Sequence, residues 1–232
     1  MRRFYQTARA RTEAGGGYGV ALDDKPMRSP AGKPFLLPTA GLADAIAAEW
    51  QAQGEQIKPA VMPLMQLAAT AIDRVAETPA PTVEAIAGFA ATDLLCYRAE
   101  SPRSLFERQE QLWQPLVDWA RLQYDAPLIV VTGVMPRPQP PEALRAIEAA
   151  VVGLEPFRLT ALAAATAAAG SVLLGLALLE GRLSAGEVHD LSLLDETYQI
   201  ERWGIDEEAA RRQAALKAEI EAAERFLALL SA

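Results

Sequence analysis

The run RFYQTARART (residues 3–12), the glycines Gly15, Gly16 and Gly17, and the run GYGVALD (residues 17–23) together decide the fold class. Two short β-prone runs joined by residues that accept positive φ make a hairpin rather than a helix. A third run, KPFLLP (residues 33–38), follows the turn-rich separator DDKPMRSPAG (residues 23–32). The first forty residues therefore predict a small antiparallel sheet built from these three runs. The glycines do not read as a phosphate loop. Such a cradle needs a helix N-terminus directly after it, and here a strand-like run follows with no Gly-Lys-Ser/Thr ending.

Beyond the sheet the apolar period becomes helical. Thr39 offers an N-cap, and Leu42, Ile46, Ala47 and Trp50 recur at helical spacing until Gly54. Pro63 opens a second helix, expected to run to about Glu77. TPAPT (residues 78–82) interrupts any continuous element, which sets an expected boundary between domains at residues 1–80 and 81–232. After it, Ser101-Pro102 reads as a cap and first-turn proline opening a helix, with Pro115 as a kink or break. LIVVTGV, residues 128–134, is a short β-like run or connector, and PPEALRAIEAAVVGL (residues 140–154) is a helix. Ser184 and Glu187 form a capping box for a helix expected to reach Trp203, and Asp206 caps a last helix. Ala209, Leu216, Ile220, Ala223, Leu227 and Leu230 mark one face of that last helix. The predicted class is α+β: a small N-terminal domain with an antiparallel sheet and helices, then a larger all-α domain.

Composition excludes several kinds of function. The chain has 232 residues, with 51% hydrophobic and 22% charged content, which is globular. A net charge of −8 argues against nucleic acid or anionic lipid as partners. One cysteine, Cys96, and one histidine, His189, exclude an internal disulfide and zinc sites built from several such ligands. No cofactor is indicated. Residues 159–179 carry no charge and are long enough to span a bilayer. Their Ala, Gly, Ser and Thr content instead predicts a buried central helix and no membrane insertion. Arg2, Arg3, Arg9 and Arg11 have a transit-peptide composition, but the flanking Phe4, Tyr5 and Ala8 fit an edge strand equally well.

Few residues look catalytic. His189 has Asp190 and Glu187 at offsets that do not share a helix face, so no relay is expected. Cys96, in an apolar setting, reads as an inert thiol. Glu49 and Trp50 read as a surface acid beside an aromatic core anchor. Charge is more informative: residues 183–208 hold eight acids and one base, Arg202. Within them Glu196, Gln199, Ile200 and Trp203 share a face by the three-four rule. Acid, amide and a large aromatic together suit either a recognition surface or simple packing.

The segments RRFYQ (residues 2–6), residues 17–39 and 45–73, DLLCYRA, QLWQPLVDW and LDETYQIERWG (residues 194–204) resemble, in order, one known family. It is the family of assembly chaperones for the ATP synthase catalytic head, which bind the free α subunit before it pairs with β. EWQAQ and the YQ…WG end are the most specific parts. The resemblance implies a non-enzymatic chaperone that is monomeric before client binding, with RRFYQ inside the folded domain. So little chain precedes RRFYQ that a bacterial cytoplasmic member is expected ahead of a trimmed mitochondrial one, eukaryotic relatives being in the mitochondrial matrix. It also implies that Trp50, beside Glu49, supports the N-terminal domain. The acidic position before YQ, Asp195 or Glu196, is implied to matter, with Glu196 the better candidate for touching the partner; the shared helix face adds Gln199 and Trp203 to that expected contact. Which of the two acids is the equivalent one stays open. Two other readings compete: a helical adaptor without a dedicated client, and an enzyme using Asp93 with Glu100 or Asp195 with Glu196.

Overall fold

The computed structural model describes residues 1–231 except 134, 136 and 205. Its chain divides into two compact units. The first comprises Met1–Pro79, Glu155–Ala161 and Ala222–Ala232, and the second Ala80–Leu154 and Leu162–Glu221. The chain thus passes from the first unit to the second after Pro79 and returns twice, so a single cut at residue 80 leaves two later segments of the first unit unaccounted for.

In the first unit, β1 (Ala8–Thr12) pairs antiparallel with β2 (Tyr18–Leu22), which pairs with β3 (Lys25–Pro26). Gly16 and Gly17 take φ of 91° and 80° in the β1–β2 connection, as a hairpin requires. The third strand is not the expected KPFLLP. Pro34 and Pro38 have no N–H for a ladder, and that run makes only the isolated bridges Tyr18↔Leu37 and Arg28↔Pro34. Lys25–Pro26 takes its place because Asp23 and Asp24 form a two-residue turn, Asp23 at φ 54°. The Asp23 carboxylate accepts the N–H groups of Gln6 and Thr7 at 3.0 and 2.9 Å, which fixes the turn against the chain leading into β1.

Helix α1 (Ala40–Gln51) lies against β1 and β2 and buries Leu42, Ile46 and Trp50 there. A fully buried Leu or Ile contributes about 1.5–3 kcal/mol. Thr39 caps α1 by accepting the Leu42 N–H at 3.2 Å, and its hydroxyl donates to the Leu229 carbonyl at 2.6 Å. Helix α2 (Pro63–Thr70) runs into a π-helical turn, Ala71–Val75.

The second unit is helical apart from β4 (Tyr97–Arg98) paired in parallel with β5 (Val131–Thr132). Within the LIVVTGV run only these two residues are strand, and Val134 lies outside the described residues. Helix α3 (Ala80–Gly88) packs on α5 (Pro141–Val151), and α4 (Arg103–Tyr124) packs on both α5 and α7 (Val172–Leu179). Three sequence expectations are corrected here. Pro102, not Ser101, occupies the N-cap of α4, and the helix continues unbroken through Pro115. Residues 159–179 form two helices rather than one. Gly170, at φ 65°, ends α6 (Pro156–Ala169), and the Ser171 hydroxyl caps α7, all eight residues of which are buried. Among the described residues no helix is long and apolar enough to cross a membrane. The helix from the Ser184–Glu187 capping box stops at Ser192, giving α8 (Ala185–Ser192) and α9 (Leu194–Trp203). Asp206 caps α10 (Glu207–Leu230) by accepting the Ala209 N–H at 2.8 Å. The small sheet with helices followed by a mostly helical remainder is the α+β class expected.

Candidate functional site

The acidic run of the sequence lies on α8, α9 and the start of α10, all in the second unit. That unit holds 20 acids and 11 bases. On α9 the inward residues are Leu194 and Tyr198. The Tyr198 hydroxyl bonds Ser104 on α4, and its ring carries the Arg202 guanidinium at 3.5 Å. Arg202, the one base of the run, is thus folded back over an aromatic face. Arg108 on α4 donates to Glu201 at 2.8 Å, a surface ion pair of modest strength.

The two adjacent acids have different surroundings. Asp195 accepts a hydrogen bond from the Gln109 amide at 2.7 Å and is half-buried. Burial raises its pKa above the ordinary aspartate value, against the pull of Gln109 and Arg98. Gln109 in turn accepts the Ala99 N–H at 2.7 Å, so Asp195 ends a chain of bonds that ties α9 to α4 and the end of β4. Glu196 meets Arg212 of α10 at 2.5 Å and Gln213 at 3.3 Å, with its side chain 36% exposed. Gln199 is exposed, and Trp203 is 77% exposed. The helix therefore presents Gln199 and Trp203 to solvent with Glu196 at their edge, while Asp195 is bonded to α4.

Glu49 and Trp50 lie in the first unit. Both oxygens of Glu49 accept hydrogen bonds from the first turn of α2, Leu64 N at 2.9 Å and Met65 N at 2.8 Å. Residue Met62, at the N-cap, offers no side-chain acceptor, so Glu49 caps α2 from outside. It is not the surface acid its helical position suggested. Burial raises its pKa, opposed by the two N–H donors and by Arg225. Trp50 is buried, meets Tyr5 edge-on at 5.6 Å, and its carbonyl accepts the Tyr5 hydroxyl at 2.6 Å.

Two buried polar centres have no clear signal in the sequence. Asp93 is fully buried and accepts from the Ser171 hydroxyl and the N–H groups of Leu95 and Leu173. Arg98, 2% exposed, donates to Glu110 at 2.6 Å, to Gln114 at 3.2 Å and to the Leu95 carbonyl. Of the acids singled out in the sequence, Asp93 serves as a cap, while Asp195 and Glu196 bond to different helices. His189 Nδ1 lies 3.1 Å from Asp190 Oδ1, so these neighbours do meet, contrary to the offset argument. The Cys96 thiol is buried, which pushes its pKa up to about 12, an inert state. Among the described residues no cluster of three or more His, Cys, Asp or Glu could hold a metal ion.

Residues 2–121 match the family model described as ATP12 chaperone protein. The crystal structure of Atp12 from Paracoccus denitrificans superposes with a TM-score of 0.92 at 44% identity, covering 99% of this chain and 98% of that one. The chain belongs to the ATP12 chaperone family. A substituted form of the Paracoccus protein agrees equally, with a TM-score of 0.92 at 43% identity over 99% of this chain and 97% of that one. The mitochondrial atp12 protein of Schizosaccharomyces pombe is 24% identical over 221 residues, 90% of this chain and 76% of its own length. The resemblance drawn from RRFYQ, EWQAQ and YQ…WG is thereby confirmed. The chain is an ATP12 family chaperone of ATP synthase assembly.

Proposed function

We propose that this ATP12 family member binds the free α subunit of the ATP synthase catalytic head and masks its β-facing surface until β replaces it. The observation that carries the reading is the outward edge of α9, where Trp203 is 77% exposed beside Gln199 and Glu196. A large exposed aromatic rimmed by polar groups is costly on an idle surface and productive in an interface. A subunit awaiting its partner exposes an interface apolar enough to aggregate, and covering it keeps the subunit soluble. Release requires a contact weaker than the final one, and an acidic rim gives fast encounter without extreme affinity. Asp195 supports α9 from within on this reading, and Glu196 meets the client. The chaperone acts without catalysis or cofactor, as a monomer before client binding, in the bacterial cytoplasm.

Co-expression with tagged α subunit followed by size-exclusion chromatography, with and without β, tests this. A soluble complex with α that disappears when β is added is the expected result. Failure to hold verified α in solution overturns the client assignment.

A further inference from the structure

The helical unit carries a groove that shares no lining residue with the α9 edge. It lies between α4, the loop after α7, and α8 and has a volume of about 640 Å³. Its apolar lining includes Leu112, Pro115, Leu183 and Leu191, and Leu112 is 42% exposed. Glu187 and Asp190 from α8 stand on its rim. The Asp190 side chain is 83% exposed. Glu187 is kept ionised by the Ser184 N–H and hydroxyl, which hold its pKa low. The base on the lining, Arg182, has its guanidinium 5.4 Å from the centre of the Trp119 ring. Groove and rim therefore offer apolar contact and negative charge, within a unit of 20 acids and 11 bases.

We propose that this groove is a second client contact, which takes an apolar segment of the client flanked by lysine or arginine. The inference rests on the reading of α as the client and names the chemistry of one segment it presents. Leucine side chains desolvate the apolar part, and the rim carboxylates fix its register through the flanking cations. It also accounts for QLWQPLVDW, whose Leu112 and Pro115 the packing of α4 leaves on the groove.

The test incorporates the photocrosslinker p-benzoylphenylalanine at position 112, and separately at Val152, which is exposed but outside the groove lining. Each chain is co-expressed with tagged α, irradiated as the purified complex, and the adduct mapped by mass spectrometry. The expected result is an adduct at 112, not at 152, to an apolar α peptide with Lys or Arg within four residues. L112D and D190K are expected to weaken α binding by about tenfold or more each while keeping the wild-type unfolding curve. A complex that forms normally without an adduct at 112 overturns the groove and leaves the client assignment standing, as does an adduct between two copies of the chain. Wild-type protein that forms no complex with α overturns both.

Discussion

The Ser171 hydroxyl donates to Asp93 at 2.8 Å, joining positions 78 residues apart inside the helical unit. The same carboxylate takes the Leu173 N–H at 3.2 Å and the Leu95 N–H at 3.0 Å. One acid thus caps both α7 and the short helical turn Leu94–Cys96. Burial outweighs these donors and raises the Asp93 pKa to about 6.

That shift has a definite sign. A folded pKa above the unfolded one means the folded chain holds the proton more tightly. The Asp93 contribution to stability is complete below the unfolded pKa of about 4 and is lost as pH rises through about 6. Asp93→Asn removes this dependence. Urea unfolding between about pH 4 and 7 should show wild type gaining stability relative to the variant as pH falls. Identical slopes for the two proteins would contradict the assignment.

Glu49→Ala removes the two carboxylate oxygens that accept from the first turn of α2. The expected loss is about 0.5–2 kcal/mol, the usual range for a helix cap, with Glu49→Gln recovering part of it. Thermal and urea unfolding measure it. Unchanged stability combined with lost α binding would instead make Glu49 a client contact.

Arg98 is a stricter case. Its guanidinium reaches Glu110, Gln114 and the Leu95 carbonyl at once and stands 5.5 Å from the centre of the Trp113 ring. Arg98→Lys keeps the charge but cannot reproduce a planar fork with several donors. An unpaired buried carbonyl costs about 1–3 kcal/mol, so the lysine variant should lose stability within that range in urea unfolding. A variant as stable as wild type would show the fork to be dispensable.

Local chemistry explains what the sequence made legible. Thr39, the Ser184–Glu187 box, Asp206 and the Gly16–Gly17 turn act over three or four residues, and each appears as expected. The misplaced third strand and the split of residues 159–179 also had local causes, Pro34 with Pro38 and Gly170 with Ser171. Asp93, Arg98 and the capping role of Glu49 were illegible for another reason. Their partners are brought near by tertiary packing, and an isolated Asp or Arg carries no periodic signal. Asp195 and Glu196 show the same limit. Adjacent acids on a helix differ by about 100° in direction, and only the position of Gln109 and Arg212 tells which is engaged by which helix.

On the proposed reading of α9, that difference assigns Asp195 to the fold and Glu196 to recognition. Asp195→Asn keeps an acceptor for the Gln109 amide but changes a half-buried bond, so its effect should fall on stability. Because burial raises the Asp195 pKa, its contribution to stability is present at low pH and lost as pH rises, and the asparagine variant should lack that component. Glu196→Lys and Trp203→Ala alter exposed or half-exposed groups, and their unfolding free energies should stay within about 1 kcal/mol of wild type. Their α binding should weaken by about tenfold or more, with the charge reversal also slowing association at low salt. Titration of each variant against purified α, alongside urea unfolding of the same preparations, distinguishes the roles. Full α binding by both the Glu196 and Trp203 variants would remove α9 from the interface.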